Sequence, residues 1–117
     1  FESPVQNQVR RATADRELHG VAIPRGARVA LLWGAANRDE RRWPRPDELD
    51  VTREARRNLA FGEGIHHCLG APLARLQGRI VLEEVLRAMP GYRLDGPVER
   101  IASHNTRGVA RLPLAIA

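Results

Sequence analysis

The stretch that decides the reading is Phe61-Gly62-Glu63-Gly64-Ile65-His66-His67-Cys68-Leu69-Gly70, followed at once by Ala71-Pro72-Leu73-Ala74-Arg75-Leu76. By default a lone cysteine is a small buried hydrophobe. Here its neighbours argue otherwise. Cys68 stands just before a helix start, where Leu69, Gly70 and Ala71 can turn backbone N–H groups toward its sulfur. Such donors, with the positive end of the helix dipole, stabilise a thiolate. Gly62, Gly64 and Gly70 let the loop fold tightly and approach a flat ligand closely. Phe61 adds an aromatic face beside the sulfur.

The helix that follows is the clearest element in the chain. Pro72 suits its first turn, where the missing N–H has no intrahelical partner. Leu73, Leu76 and Ile80 share a side, with Leu82, Val85, Leu86 and Met89 close by. So wide an apolar surface predicts a helix buried along much of its length, stopped by Pro90-Gly91. Gly78 is a poor interior residue by about 1 kcal/mol against Ala, so close packing against another element is expected there.

On the N-terminal side of the loop, residues 37–57 are charged, carry Pro44 and Pro46, and show no clean period. They read as irregular coil. A coil of that length inside a domain tends to be functional. Before it, Val9–Ala14 and Arg28–Leu32 read as strands, with turns at Asp15-Arg16 and Pro24-Arg25-Gly26 and a break at Gly20. One helical turn is expected near Gly34–Asn37. Beyond the helix, Ser103–Gly108 reads as a turn and Val109–Leu114 as a strand.

Composition bounds the rest. At 117 residues the chain is long enough for one modest core. No run of about 18 apolar residues suggests a membrane span, and no secretory leader is recognisable. One cysteine permits no internal disulfide, which fits a cytoplasmic location. All 19 basic residues are arginine and the net charge is +5. A basic balance raises the possibility of nucleic acid, but aromatic content is only 4 % and no recognition motif is present. A zinc site built from His66, His67 and Cys68 lacks a spaced second ligand pair. The start at Phe1 rather than Met reads as a piece of something longer.

Phe61, Gly64, Cys68 and Gly70 resemble the haem-binding signature of the cytochromes P-450: Phe, two residues, Gly, three residues, Cys, one residue, Gly. The likeness extends to Ala71–Leu76, to Ala35-Asn37-Arg38-Asp39, to Asp47-Asp50-Val51-Thr52-Arg53 and to Ser3-Pro4-Val5-Gln6, in the order found in the soluble bacterial branch. It implies an α+β chain, the C-terminal part of the mainly helical P-450 fold: short β hairpins, irregular coil, the Cys-ligand loop, a long buried helix and a terminal β hairpin. All of residues 1–117 would then belong to a single domain.

The resemblance also implies roles. Cys68 is expected to be the proximal iron ligand of haem b (iron protoporphyrin), and the parent protein to be a monooxygenase inserting one oxygen atom of O2 into a small hydrophobic substrate. Phe61, Gly62, Gly64, Leu69 and Gly70 would line the cofactor. Arg10 and His66 would bind its propionates. Arg11 neighbours Arg10, but a strand alternates faces and only one of the two can point inward. Arg75, His67 and Arg79 would face the proximal surface, where a ferredoxin or flavoprotein electron donor docks. Arg42, Arg45, Arg53, Arg56 and Arg57 add to the basic character there. Val5, Asn7, Asn105 and Thr106 would face substrate.

The chain departs from the family pattern at Glu48, where an arginine often follows Pro-Asp. This leaves the ion pairing of the coil open. The long distal helix with its acid-alcohol pair and the Glu-x-x-Arg helix are not in this sequence. The chain alone is therefore expected to be inactive and at best partly folded. A haem-thiolate peroxygenase and a non-catalytic remnant of a truncated gene stand as alternatives.

Overall fold

A computed structural model describes residues 3–53 and 58–116. Arg56 and Arg57, two of the arginines expected to add to the basic character, lie outside the described residues. The chain divides into two compact units: Phe1–Ala60 with Ser103–Arg107, and Phe61–Ala102 with Gly108–Ala117.

The first unit is built on two antiparallel ribbons, one inserted within the other. Strand β1 (Gln8–Arg11) pairs with β4 (Arg28–Leu31), and between them in sequence β2 (Arg16–Leu18) pairs with β3 (Val21–Ile23). His19 and Gly20, at φ 51° and 79°, form the two-residue turn of the inner hairpin. Two positive φ values in succession match the right-handed twist of the strands they join. The strand expected over Val9–Ala14 ends at Arg11, although Ala12 still exchanges backbone hydrogen bonds with Ala27 and Gly26. Arg16, expected in a turn, is the first residue of β2. Pro24-Arg25-Gly26 does turn: Ala27 N–H donates to Pro24 O at 3.0 Å and Gly26 has φ 87°. A single helical turn, α1 (Trp33–Ala36), follows β4.

The coil beyond α1 is irregular, as expected, but well tied. Arg53 donates from Nη1 to Pro44 O at 2.5 Å and from Nη2 to the carbonyls of Arg45 (2.9 Å) and Glu48 (3.1 Å). Arg38 pairs with Asp47, and Asn37 Oδ1 accepts from Leu59 N–H at 2.8 Å. The departure at Glu48 is absorbed locally. Its carboxylate accepts from Arg45 Nη1 at 2.7 Å, while Arg45 Nη2 lies 3.6 Å from Asp50. Asp39 receives the Arg41 side chain at both oxygens, 2.9 Å from Nε and 2.6 Å from Nη2. That side-chain hydrogen bond, above all, lowers the Asp39 pKa from 3.8 to about 2. The Thr52 side chain lowers Asp50 in the same way.

The second unit holds α2 (Ala71–Ala88) and a second nested pair of ribbons: β5 (Tyr92–Leu94) with β8 (Leu114–Ile116), and β6 (Glu99–Arg100) with β7 (Val109–Arg111). The strand expected over Val109–Leu114 is split. Pro113 has no N–H for a ladder, and its carbonyl instead accepts from Asp95 N–H at 3.0 Å.

The expected burial of α2 is not met. Ala71 is the one buried apolar residue among the described residues, whereas Leu73, Leu76, Ile80, Leu82 and Leu86 are exposed and Val85 and Met89 only half-buried. A Cβ placed at Gly78 meets nothing within 4 Å, so the close packing expected there is absent among the described residues. Among the described residues the modest core expected from length is missing as well. Two-stranded ribbons bury little by themselves, and among the described residues of the second unit no strand packs extensively on the helix. Among the described residues no helix is long and apolar enough to cross a membrane.

Candidate functional site: the Cys68 loop

The loop is shaped by its glycines and closed on itself by backbone hydrogen bonds. Gly62 and Gly64 have φ 73° and 64°, a region that other residues enter only with strain. At Gly62 a Cβ would also stand 3.2 Å from the His66 carbonyl oxygen. Glu63 caps a 3-10 turn, Gly64–His66, its carboxylate accepting from Gly64 N–H at 3.2 Å. His67 N–H then returns to Gly64 O at 3.0 Å, and Cys68 N–H to Phe61 O at 2.8 Å.

Cys68 leaves this turn with its thiol exposed. Gly70 follows as the N-cap of α2, and a Cβ there would come to 3.8 Å from Sγ. Glycine thus keeps that side of the sulfur open. One detail departs from expectation. The Ala71 N–H does not serve the sulfur but donates to Cys68 O at 3.2 Å, because the chain closes a tight turn on entering the helix. Cys68 still sits three residues ahead of the first helical residue, Ala71, near a first turn whose N–H groups lack intrahelical acceptors.

Around the thiol the surface is apolar and uncovered. Ile65 is 97 % exposed and Leu69 98 %. Exposed apolar side chains beside an exposed thiol form a surface suited to a flat apolar partner. Phe61 is half-buried. The Arg75 guanidinium lies 4.7 Å from its ring centroid, and the His67 ring is 6.5 Å from it at a 50° tilt.

The structure therefore gathers Phe61, Gly62, Gly64, His66, His67, Cys68, Leu69, Gly70 and Arg75 into one unit. Arg79 lies one turn further along α2 and pairs with Glu83 at 2.8 Å. Arg10 belongs to the other unit. It is half-buried and Arg11 exposed, and its guanidinium donates to Val9 O at 3.1 Å and Gln8 Oε1 at 3.2 Å. The two stretches expected to face substrate meet each other. Val5 bridges Thr106, Gln6 N–H donates to Asn105 O at 2.8 Å, and Asn7 Nδ2 donates to His104 O at 3.2 Å. Sequence reasoning missed Arg53 and Asn37 as ties of the coil and Glu63 as the cap of the loop. Of these only Glu63, an acceptor just ahead of Gly64 at a turn, left a local signal.

The family model for cytochrome P-450 matches residues 1–95. The chain belongs to the cytochrome P-450 family. It is similar to cytochrome P-450-terp of a Pseudomonas species, 41 % identical over 97 % of this chain and 27 % of that protein. It is also similar to the 6-deoxyerythronolide B hydroxylase of Saccharopolyspora erythraea, 37 % identical over 99 % of this chain and 30 % of that protein. Among solved structures, P-450 BioI in complex with an acyl carrier protein ligated with hexadec-9Z-enoic acid superposes with TM-score 0.95 at 38 % identity, over 100 % of this chain and 31 % of that one. The mixed helix-and-ribbon architecture is thus that of a P-450. The chain spans less than a third of the length of these relatives.

The residues present fit the haem that the family binds through a cysteine. The donor is a thiol, it is exposed, glycine leaves room beside it, and apolar side chains flank it.

Proposed function

We propose that this chain forms the proximal, iron-ligating part of a longer haem-thiolate monooxygenase domain that oxygenates a small hydrophobic substrate, with Cys68 as the ligand. The observation that carries this reading is the exposed Cys68 thiol on a glycine-shaped turn ahead of α2, flanked by uncovered Ile65 and Leu69. Bound there, haem supplies oxygen activation, which thiolate ligation favours. The chain's own residues bind and orient. Cys68 is held by its N–H on Phe61 O; Ile65 and Leu69 exclude water from the sulfur side; His66 and Arg10 take the propionates. Val5, Asn7, Asn105 and Thr106 form a substrate-facing corner, supported by the Val5–Thr106 bridge and by the bonds of Gln6 to Asn105 and Asn7 to His104. Electrons come from a ferredoxin or flavoprotein, with the exposed basic residues of α2 and His67 on the docking side.

The uncovered apolar face of α2 and the near absence of buried residues support a second part of the reading. The chain by itself does not cage haem and is inactive. Titrating the isolated chain with haem should give no stable thiolate-type absorption. The direct test uses the longer protein, reduced under carbon monoxide. Wild type should show the red-shifted thiolate band and Cys68→Ala should lose it. A variant that keeps the band would assign the iron to another residue.

A further inference from the structure

Three arginines on α2 fare differently. Arg79 pairs with Glu83 and Arg87 with Glu84, each along its own helix. Arg75 meets no carboxylate among the described residues; its guanidinium lies instead on the Phe61 ring, with Cζ 4.7 Å from the centroid. Phe61 is also the residue whose carbonyl holds the Cys68 N–H, at 2.8 Å. Cys68 in turn presents its carbonyl to Ala71 N–H at 3.2 Å, at the foot of the helix that carries Arg75. These contacts form a closed circuit. It runs from the Cys68 carbonyl into α2, along one helical turn to Arg75, across the cation–π contact to Phe61, and back through the Phe61 carbonyl to the Cys68 N–H.

We infer that Arg75 is a positioning residue for Cys68: by laying its guanidinium on Phe61 it clamps the start of the loop to the first turn of α2 and so fixes the backbone that carries the sulfur. This rests on the reading of Cys68 as the iron ligand, and it assigns Arg75 an internal task distinct from docking an electron donor. A planar guanidinium suits this because it spreads over a ring face, which an ammonium on a flexible stem does less well. The circuit crosses no other polar side chain, so the contribution of Arg75 should pass through Phe61 alone.

A double-mutant cycle on the haem-loaded longer protein tests this, with Arg75→Gln, Phe61→Leu and the pair, and Arg75→Lys as the conservative variant. The first readout is hydrogen exchange of the segment containing the Cys68 N–H. The second is the fraction of the reduced carbonyl complex that shows the thiolate band, with no electron donor present. Each single variant should speed exchange by about two- to fivefold, the scale of an exposed cation–π contact, and lower the thiolate fraction. The pair should do no more than either single variant, and Arg75→Lys should fall between wild type and Arg75→Gln. Unchanged exchange in Arg75→Gln, or effects that add in the pair, would overturn the clamp. The exchange readout reports on the loop backbone and not on the identity of the iron ligand. The Cys68→Ala spectrum therefore fails or stands separately from it.

Discussion

The coil at residues 37–53 and the loop at residues 61–70 are both irregular, yet they are held in opposite ways. The coil satisfies itself. Arg53 binds three carbonyls, Arg38 pairs with Asp47, Arg45 with Glu48, and Asp39 with Arg41. The loop is held by backbone bonds from Cys68 to Phe61 and from His67 to Gly64, and turns Ile65, Leu69 and its thiol outward. A segment whose polar groups are answered internally is a support. A segment that leaves Ile65, Cys68 and Leu69 uncovered is a surface prepared for something else. The difference separates the two: the coil is tied by its own polar groups, whereas the loop leaves a thiol and two apolar side chains exposed, which supports the proposed ligand role of Cys68.

Substitutions in the two regions should separate these descriptions. The largest effect is expected at Gly62. Gly62→Ala forces a side chain into the left-handed region and 3.2 Å from the His66 carbonyl, which should cost about 2 kcal/mol. It should also reduce haem retention in the longer protein, read from bound haem after gel filtration together with the melting temperature. Unaltered haem content would mean that the loop tolerates a different path. Arg53→Ala should come next, destabilising by about 1.5 kcal/mol in denaturant melts through the three carbonyls it deserts. The thiolate band of the molecules that remain folded should be unchanged. A band shift would mean that the coil shapes the ligand loop.

Gly78→Ala is a smaller and opposite test. In open space the exchange should stabilise the helix by about 1 kcal/mol. Destabilisation in the longer protein would instead locate a close neighbour at Gly78. The smallest effect belongs to Asp39. Its carboxyl should titrate near 2 by carbon-detected NMR and return toward 3.8 in Arg41→Ala. Because the folded value is depressed, the pair's contribution is present above the unfolded value and is lost as pH falls from about 4 through about 2. The pair is exposed, so the effect on stability should be slight.

Much of this was legible in the sequence, because the strongest signals are local. The Phe61–Gly70 spacing, Pro72 in the first turn of α2, and the turns at Gly20 and Gly26 each depend on a few adjacent residues, and each is where it was expected. The burial of α2 was misjudged because periodicity records which face is apolar, not whether anything in the same chain covers it. Leu73, Leu76 and Ile80 line such a face and stand exposed. The coil's ties were hidden for another reason. Arg53 is held by backbone carbonyls, which every residue carries and no motif displays. The family resemblance put Arg75 on the docking surface. Its contact with Phe61, fourteen positions earlier, emerges only once the loop closes.

The central claim is the bond between Cys68 and the haem iron, and X-ray absorption at the iron edge of the loaded, longer protein tests it most directly. Wild type should show one sulfur in the first coordination shell, and Cys68→Ser should show none. A first shell of nitrogen and oxygen alone in wild type, with His66 or His67 in the axial position, would contradict the account.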